Sequence, residues 1–343
     1  MNRNEKKKRA PAVAVAAIAG VLLAGAAAEA QPAHDEPASL LVYPHFDSRP
    51  SHETVIFVTN TNEDRRPCGG NDRFMRGDVR LHFVYYGVRE ADLGDPSGAR
   101  WLEFDRYEML SPGDTIAVLA RSHDPDAEVG FLTVKALSPD TDEAIDFDHL
   151  VGSALVVEAE KDALWSYEPF AFQARGNGAI STCGHELVDG PGTRFGPSYS
   201  AFPAALFLDS FAQVRNGVVG GELTLMSTSG PDYLNEVDVL FWNNREERFS
   251  RQLSFRCWTT VRLEDISSIA TRLGGDPDES PVQTGWLRLA GRRVLDLAAH
   301  PVTDGDLANG PALLAVFRQP VRAFGIIGRP LQFSGTKDAS LPN

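Results

Sequence analysis

Along most of the chain, apolar and polar residues alternate in short runs. In Arg80-Leu81-His82-Phe83-Val84-Tyr85, for example, one side chain in two can face a core while its neighbour faces water. Runs rich in Val, Leu, Phe, Thr and Tyr, bounded by Gly, Pro, Asn and Asp, predict strands at 40–43, 54–59, 79–86, 101–107, 115–120, 130–137 and 150–158. Seven such strands fit one antiparallel sandwich of two sheets, with Pro112-Gly113-Asp114 as a tight turn between two of them. Helical periodicity is almost absent. The exception is 265–273, where Asp265 can cap a short helix and Gly274-Gly275 can stop it.

The same order of features recurs in the second half. Leu41-Val42-Tyr43-Pro44-His45-Phe46-Asp47-Ser48 has a counterpart in Leu206-Phe207-Leu208-Asp209-Ser210-Phe211, and Val55-Ile56-Phe57-Val58 has one in Leu223-Thr224-Leu225-Met226. Val79-Arg80-Leu81-His82-Phe83 matches Val237-Asp238-Val239-Leu240-Phe241, and Val129-Gly130-Phe131-Leu132 matches Thr284-Gly285-Trp286-Leu287. Kept order with drifting intervals is what a duplicated fold with varied loops would leave. The expected architecture is therefore all-β: two tandem antiparallel β-sandwich (immunoglobulin-like) domains, at 38–175 and 201–334. A Gly-rich linker spans 176–200 and a polar tail spans 335–343.

The N-terminus changes the setting. Arg3 and Lys6-Lys7-Lys8-Arg9 precede an apolar stretch ending in Ala28-Glu29-Ala30, the pattern of a secretory signal peptide over 1–30. Secretion to the periplasm, cell surface or medium follows as an expectation, with no membrane span after cleavage. The first thirty residues carry five basic and two acidic side chains, so their removal moves the formal charge from -14 to -17. Such a surface repels nucleic acid and anionic head groups, which argues against a nucleic-acid partner. Three cysteines are too few for a disulfide scaffold. Cys257 sits in a strand-like run whereas Cys68 and Cys183 each precede glycine in loop-like surroundings, so Cys68–Cys183 is the expected pair; three unpaired thiols are the alternative.

The segments Leu41 to Arg49, Val58-Thr59-Asn60-Thr61-Asn62, Leu110-Ser111-Pro112-Gly113-Asp114-Thr115 and Val129-Gly130-Phe131, with Asn243-Asn244-Arg245-Glu246 and Glu247-Arg248-Phe249-Ser250, carry a likeness to other sequences. Through them the chain resembles an uncharacterised family of secreted bacterial proteins over nearly its whole mature length. The resemblance implies export and a sandwich-like fold, and no catalytic or cofactor-binding residue.

No motif with chemistry is complete. His185-Glu186 would suit a zinc helix only with a second histidine four residues on, but Asp189 stands there and Gly184 and Gly190-Pro191 bracket the segment; a solvated loop histidine is expected. Gly176-Asn177-Gly178 lacks the third glycine of a phosphate turn, and Gly196-Pro197-Ser198-Tyr199-Ser200 lacks a nucleophile elbow's second glycine. Acidic loops offer more. Asp124, Asp126 and Glu128, then Asp140, Asp142 and Glu143, then Asp276, Asp278 and Glu279 could hold calcium as a structural ion, though without the spacing of a dedicated loop. Tyr85, Tyr86, Trp101, Trp165, Tyr167, Trp242 and Trp258 could line a carbohydrate face, but most lie in alternating strands, where a large ring is expected in the core.

These readings favour an exported non-enzymatic protein: a structural, adhesive or binding component of the envelope or extracellular matrix, with an envelope polysaccharide or surface protein as partner. A carbohydrate-binding module or carbohydrate-active enzyme, and a periplasmic subunit of a larger assembly, are the alternatives.

Overall fold

The computed structural model describes residues 36–69, 71–92, 102–123, 125–161, 163–214, 221–266, 282–296, 298, 300–302, 310–321 and 325–341. Residues 1–30, expected as a signal peptide, and Trp101, Asp124, Asp276, Asp278 and Glu279 lie outside them. The chain is all-β, with antiparallel sheets. The first half comprises β1 (Leu40–Asp47), β2 (His52–Asn60), β3 (Pro67–Cys68), β4 (Asn71–Met75), β5 (Val79–Val88), β6 (Leu102–Leu110), β7 (Thr115–Leu119), β8 (Val129–Leu137), β9 (Leu150–Glu158), β10 (Ala163–Tyr167) and β11 (Phe170–Phe172). Then come β12 (Gly176–Ile180), β13 (Glu186–Val188) and β14 (Arg194–Phe195). The second half comprises β15 (Phe202–Val214), β16 (Glu222–Ser227), β17 (Tyr233–Asn243), β18 (Arg248–Phe255), β19 (Trp258–Arg262), β20 (Val282–Asp296), β21 (Leu313–Val321), β22 (Gly325–Pro330), β23 (Gln332–Lys337) and β24 (Ala339–Ser340). One short helix, α1 (Leu263–Ile266), begins two residues before the expected one, whose remainder falls outside the described residues.

Each half carries a five-stranded and a four-stranded sheet. The first has the orders β11-β1-β8-β5-β6 and β10-β9-β2-β7, and the second has β23-β15-β20-β17-β18 and β22-β21-β16-β19. Nine strands per half thus replace the expected seven. The additional pair in each, β10 and β11 or β22 and β23, is short and has little periodicity to read. Alternation does its expected work inside each sandwich. Leu41, Tyr43, Leu81, Phe83, Leu132 and Val134 fill the first core, and Leu206, Leu208, Val237, Val239, Leu287 and Leu289 fill the second.

A third apolar cluster joins the halves. Leu40 and Val42 on β1, Tyr86 on β5 and Phe131 on β8 point out of the first sandwich and meet Phe202 on β15, Met226 on β16 and Leu314 on β21. The outer face of one five-stranded sheet is therefore covered by the four-stranded sheet of the other half. β1 is buried at every position for this reason, and its continuous apolar run is the signature of a strand covered on both faces. Edge strands β10 and β22 also lie side by side. Gly328 allows this approach, because a Cβ there would strike the Trp165 ring and the Ser166 carbonyl.

The stretch 176–200, expected as linker or loop, contains small ribbons: β12 pairs with β13, and β14 pairs with β24. Its glycines serve turns, with positive φ at Gly178, Gly184, Gly190, Gly192 and Gly196, and the short strands between them escape a periodicity test. The polar tail is likewise held at β24, with Ala339 and Leu341 buried. Cys68 and Cys183 are joined by a disulfide with Cα atoms 4.5 Å apart, which ties the β3–β4 hairpin to the β12–β13 ribbon, while Cys257 is a buried free thiol.

Carboxylates dock this ribbon on the first sandwich. Asp146 accepts the Gly176 N–H at 3.1 Å, and Asp148 accepts the Ala174 N–H at 3.0 Å and the Ser39 hydroxyl at 2.7 Å. Burial, then the neighbouring Asp148 charge, lifts the Asp146 carboxyl to about 6. The folded state then holds this proton over a range where the unfolded chain has released it, so stability falls as pH rises from about 4 to about 6. Half exposure screens the effect to about 1 kcal/mol. Urea midpoints measured across that window should show the decline, and Asp146→Asn should flatten it.

Candidate functional site

A cleft of about 530 Å³ opens where the two halves meet, at the end of the shared apolar cluster. Its geometry begins with a bulge. β1 and β8 pair at Tyr43↔Leu132 and again at Phe46↔Gly130, so Pro44 and His45 together oppose Phe131 alone. A proline cannot donate to the ladder, and an extra residue re-aims the side chains around it. On its other side Gly130 lets β8 lie close to β5, since a Cβ there would strike the Tyr86 carbonyl. The bulge backbone is fastened from β10: Tyr167 Oη donates to the His45 carbonyl and accepts the His45 N–H at 3.3 Å.

His45, 7% exposed, lines the cleft with its ring between two indoles, 5.4 Å from Trp165 and 5.9 Å from Trp258. The Trp258 indole N–H donates to the Pro44 carbonyl across the two halves at 2.9 Å. His45 Nδ1 is buried and makes no hydrogen bond. Burial, only partly offset by Asp47, pushes the imidazole down to about 3, so the ring is neutral at physiological pH.

Charged groups surround it in pairs. Asp47, at the end of β1, is gripped by Arg49 through Nε at 2.9 Å and a terminal nitrogen at 2.6 Å. Burial raises the Asp47 carboxyl, but the Arg49 bond and the surrounding cations outweigh it and hold the group below its ordinary value. Across the cleft, Arg318 on β21 touches Glu158 at the end of β9 and Glu222 at the start of β16, joining the halves through one guanidinium. Arg262 reaches Glu222 from the other side at 3.8 Å. Burial lowers Arg318 to about 10, which leaves it cationic at neutral pH.

Chemically, the cleft offers many hydrogen-bonding groups, with Asp92 and Arg256 adding charge beside the two paired sets. None of the expected motifs supplied these residues. The nearest signal was Pro44-His45 interrupting an apolar run, a segment that stood out for its repeat. Glu158, Glu222 and Arg318 come from three distant strands with no spacing to betray them.

Among the described residues no three His, Cys, Asp or Glu side chains are grouped for a metal ion. Asp126 faces Arg89 at 3.9 Å, Glu128 accepts the Glu90 N–H at 2.6 Å, and Asp142 pairs with Arg80. Asp140 accepts the Ser138 hydroxyl. His185, expected in solvent, is 8% exposed and packs edge-on against Phe147 at 5.6 Å, because the Ser181–Gly184 turn folds it inward; Glu186 begins a strand, not a helix. Of the aromatic residues, Tyr85, Tyr86, Trp165 and Tyr167 are core. Trp242 and Trp286 stack with centroids 3.8 Å apart and planes 1° from parallel, so one face of each ring is covered by the other, and Trp286 is exposed.

No family model matches the chain, and no curated protein matches it. Among solved structures, a chain in the cryo-EM structure of broad bean stain virus aligns over 94% of this chain and 96% of that chain, at 7% identity and a TM-score of 0.17. That likeness carries no argument about fold or function.

Proposed function

We propose that the protein is an exported binding component of the cell envelope or extracellular matrix, made of two immunoglobulin-like sandwiches that arose by duplication, and that it engages its ligand in the cleft between them. The cleft carries this reading: a cavity of about 530 Å³ lined by a buried histidine, an indole and paired charges lies within the size range of small-ligand sites. Duplication is supported by the shared strand orders of the two halves. It is supported also by a second bulge at the corresponding place, where Asp209 and Ser210 lie between the pairs Leu208↔Leu287 and Phe211↔Gly285. There Arg329 fastens the bulge from β22, binding Asp209 at 2.6 Å and the Ser210 carbonyl, as Tyr167 does from β10. The two bulges have diverged in chemistry. Only the first faces the cleft, which favours one site over two.

The N-terminal pattern supports export, and the ion pairs that hold the cleft wall in place support a binding role. The test is fractionation of the native host followed by sedimentation of purified protein with isolated envelope. Saturable sedimentation, abolished when the cleft rim is plugged by Ser254→Trp, is the expected result. A protein found in the cytoplasm, or one that leaves the envelope untouched, overturns the proposal.

A further inference from the structure

We infer, independently of the cleft, that the outer face of the second five-stranded sheet docks a second copy of this chain. That copy seats the outer face of its first four-stranded sheet there, head to tail.

Register fixes the correspondence between the two five-stranded sheets. On β5 and β8, Tyr86 pairs with Phe131 and the rings stack with centroids 4.8 Å apart; on β17 and β20, Trp242 pairs with Trp286 and the rings stack at 3.8 Å. A glycine one residue before the second ring brings the strands together in each case. A Cβ at Gly130 would strike the Tyr86 carbonyl, and one at Gly285 would strike the Trp242 carbonyl. Two residues beyond that ring, Val42 on β1 lies opposite Thr133, and Phe207 on β15 lies opposite Arg288. Both sheets therefore present an aromatic ridge at the same positions.

The surroundings of the two ridges differ. Phe131 is 0% exposed and Tyr86 3%, within the cluster that Met226 and Leu314 of the second four-stranded sheet complete. Trp286 is 36% exposed, with Phe207, Leu240 and Trp242 half-buried around it. A contiguous aromatic patch left open to water marks an interaction surface. Arg288 lies inside the patch and Asp238 at its margin; arginine is enriched in protein interfaces, and its half-buried stem can pack along apolar neighbours.

The contact within the chain shows what closes such a ridge: the outer face of a four-stranded sheet. The first four-stranded sheet, β10-β9-β2-β7, has an apolar outer face of its own. Val55, Phe57, Leu155 and Val157 are half-buried along its middle, and Leu119 and Leu164 stand 45% and 53% exposed on its two edge strands. One face of each kind is thus used inside the chain, and one of each kind is open. A contact between unlike faces does not close in a pair, so each added copy brings a fresh open face and the assembly can grow.

Sedimentation velocity of the purified protein across a wide concentration range tests this. The sedimentation coefficient should rise with concentration. Trp286→Asp on one face, and Leu119→Lys/Leu164→Lys on the other, should each weaken association by about thirtyfold or more, the effect of losing an interface anchor. All three positions are exposed, so both variants should keep the parent's urea midpoint. An equimolar mixture of the two variants retains one intact contact and should stop at heterodimers. A parent that stays monomeric at every concentration overturns the inference. So does parental self-association of the double lysine variant, which would mean that the tryptophan faces pair with each other. A mixture of folded variants that forms no heterodimer overturns it as well.

Discussion

Replacing Arg318 with methionine should destabilise the protein by about 3 to 5 kcal/mol, read as a shift of the urea unfolding midpoint. The guanidinium touches Glu158, whose side chain is 2% exposed, and Glu222, at 18%. Glu222 keeps Arg262 at 3.8 Å after the change, so the damage falls on Glu158, which loses the cation at its side in a site that water scarcely reaches. Methionine fills much of the same volume, which separates the charge effect from a cavity. The double variant Glu158→Gln/Arg318→Met removes the stranded charge and should recover most of the loss. If the single change costs less than about 1 kcal/mol, the pair is solvated in solution and the cleft is wetter than its geometry implies.

Abolishing the Cys68–Cys183 link by Cys68→Ser/Cys183→Ser should cost about 2 to 5 kcal/mol. The link closes a loop of 115 residues, which contains the main strands of the first sandwich from β5 to β11, so the constraint it places on the unfolded chain is near the upper end of what one disulfide imposes. In the folded state it fixes the β12–β13 ribbon alongside short ladders, the Asp146 and Asp148 contacts and the buried His185 and Val188 side chains. Intact mass with and without alkylation under denaturing conditions should find one disulfide and one thiol, that of Cys257. An unchanged urea midpoint in the double variant would mean that the ribbon detaches without loosening the sandwich.

Much of the strand content was legible because two-residue alternation survives wherever a sheet has one covered face, as in Arg80 to Tyr85. Where both faces are covered the alternation vanishes, and β1 reads as an unbroken apolar run; its segment was visible, but the surface covering its second face was not. The 176–200 stretch read as a loop because its strands are two to five residues long and its glycines are genuine turn residues. Charge-bearing loops draw attention to calcium, and in the described part of the chain Asp126, Glu128, Asp140 and Asp142 meet guanidinium, amide or hydroxyl groups. The cleft was invisible for a different reason. Its members lie on β1, β2, β5, β8 and β9 of one half and β16, β18, β19 and β21 of the other, and only the docking of the halves brings them together. Pro44-His45 was the one local clue, since a proline and a histidine inside a buried run require an interruption of the ladder.

The apolar cluster shared by the halves also sets an order of events during synthesis. Both sheets of the first sandwich can be completed once Phe172 has emerged, but the side of β1 bearing Leu40 and Val42 then stays bare until Phe202, Met226 and finally Leu314 arrive. For well over a hundred residues of translation, the nascent chain carries a finished sheet with an uncovered greasy face, the kind of surface that holdase chaperones grip. Truncated products ending before β21 should accordingly be the fragments that aggregate or are degraded, even though their first nine-stranded unit is whole.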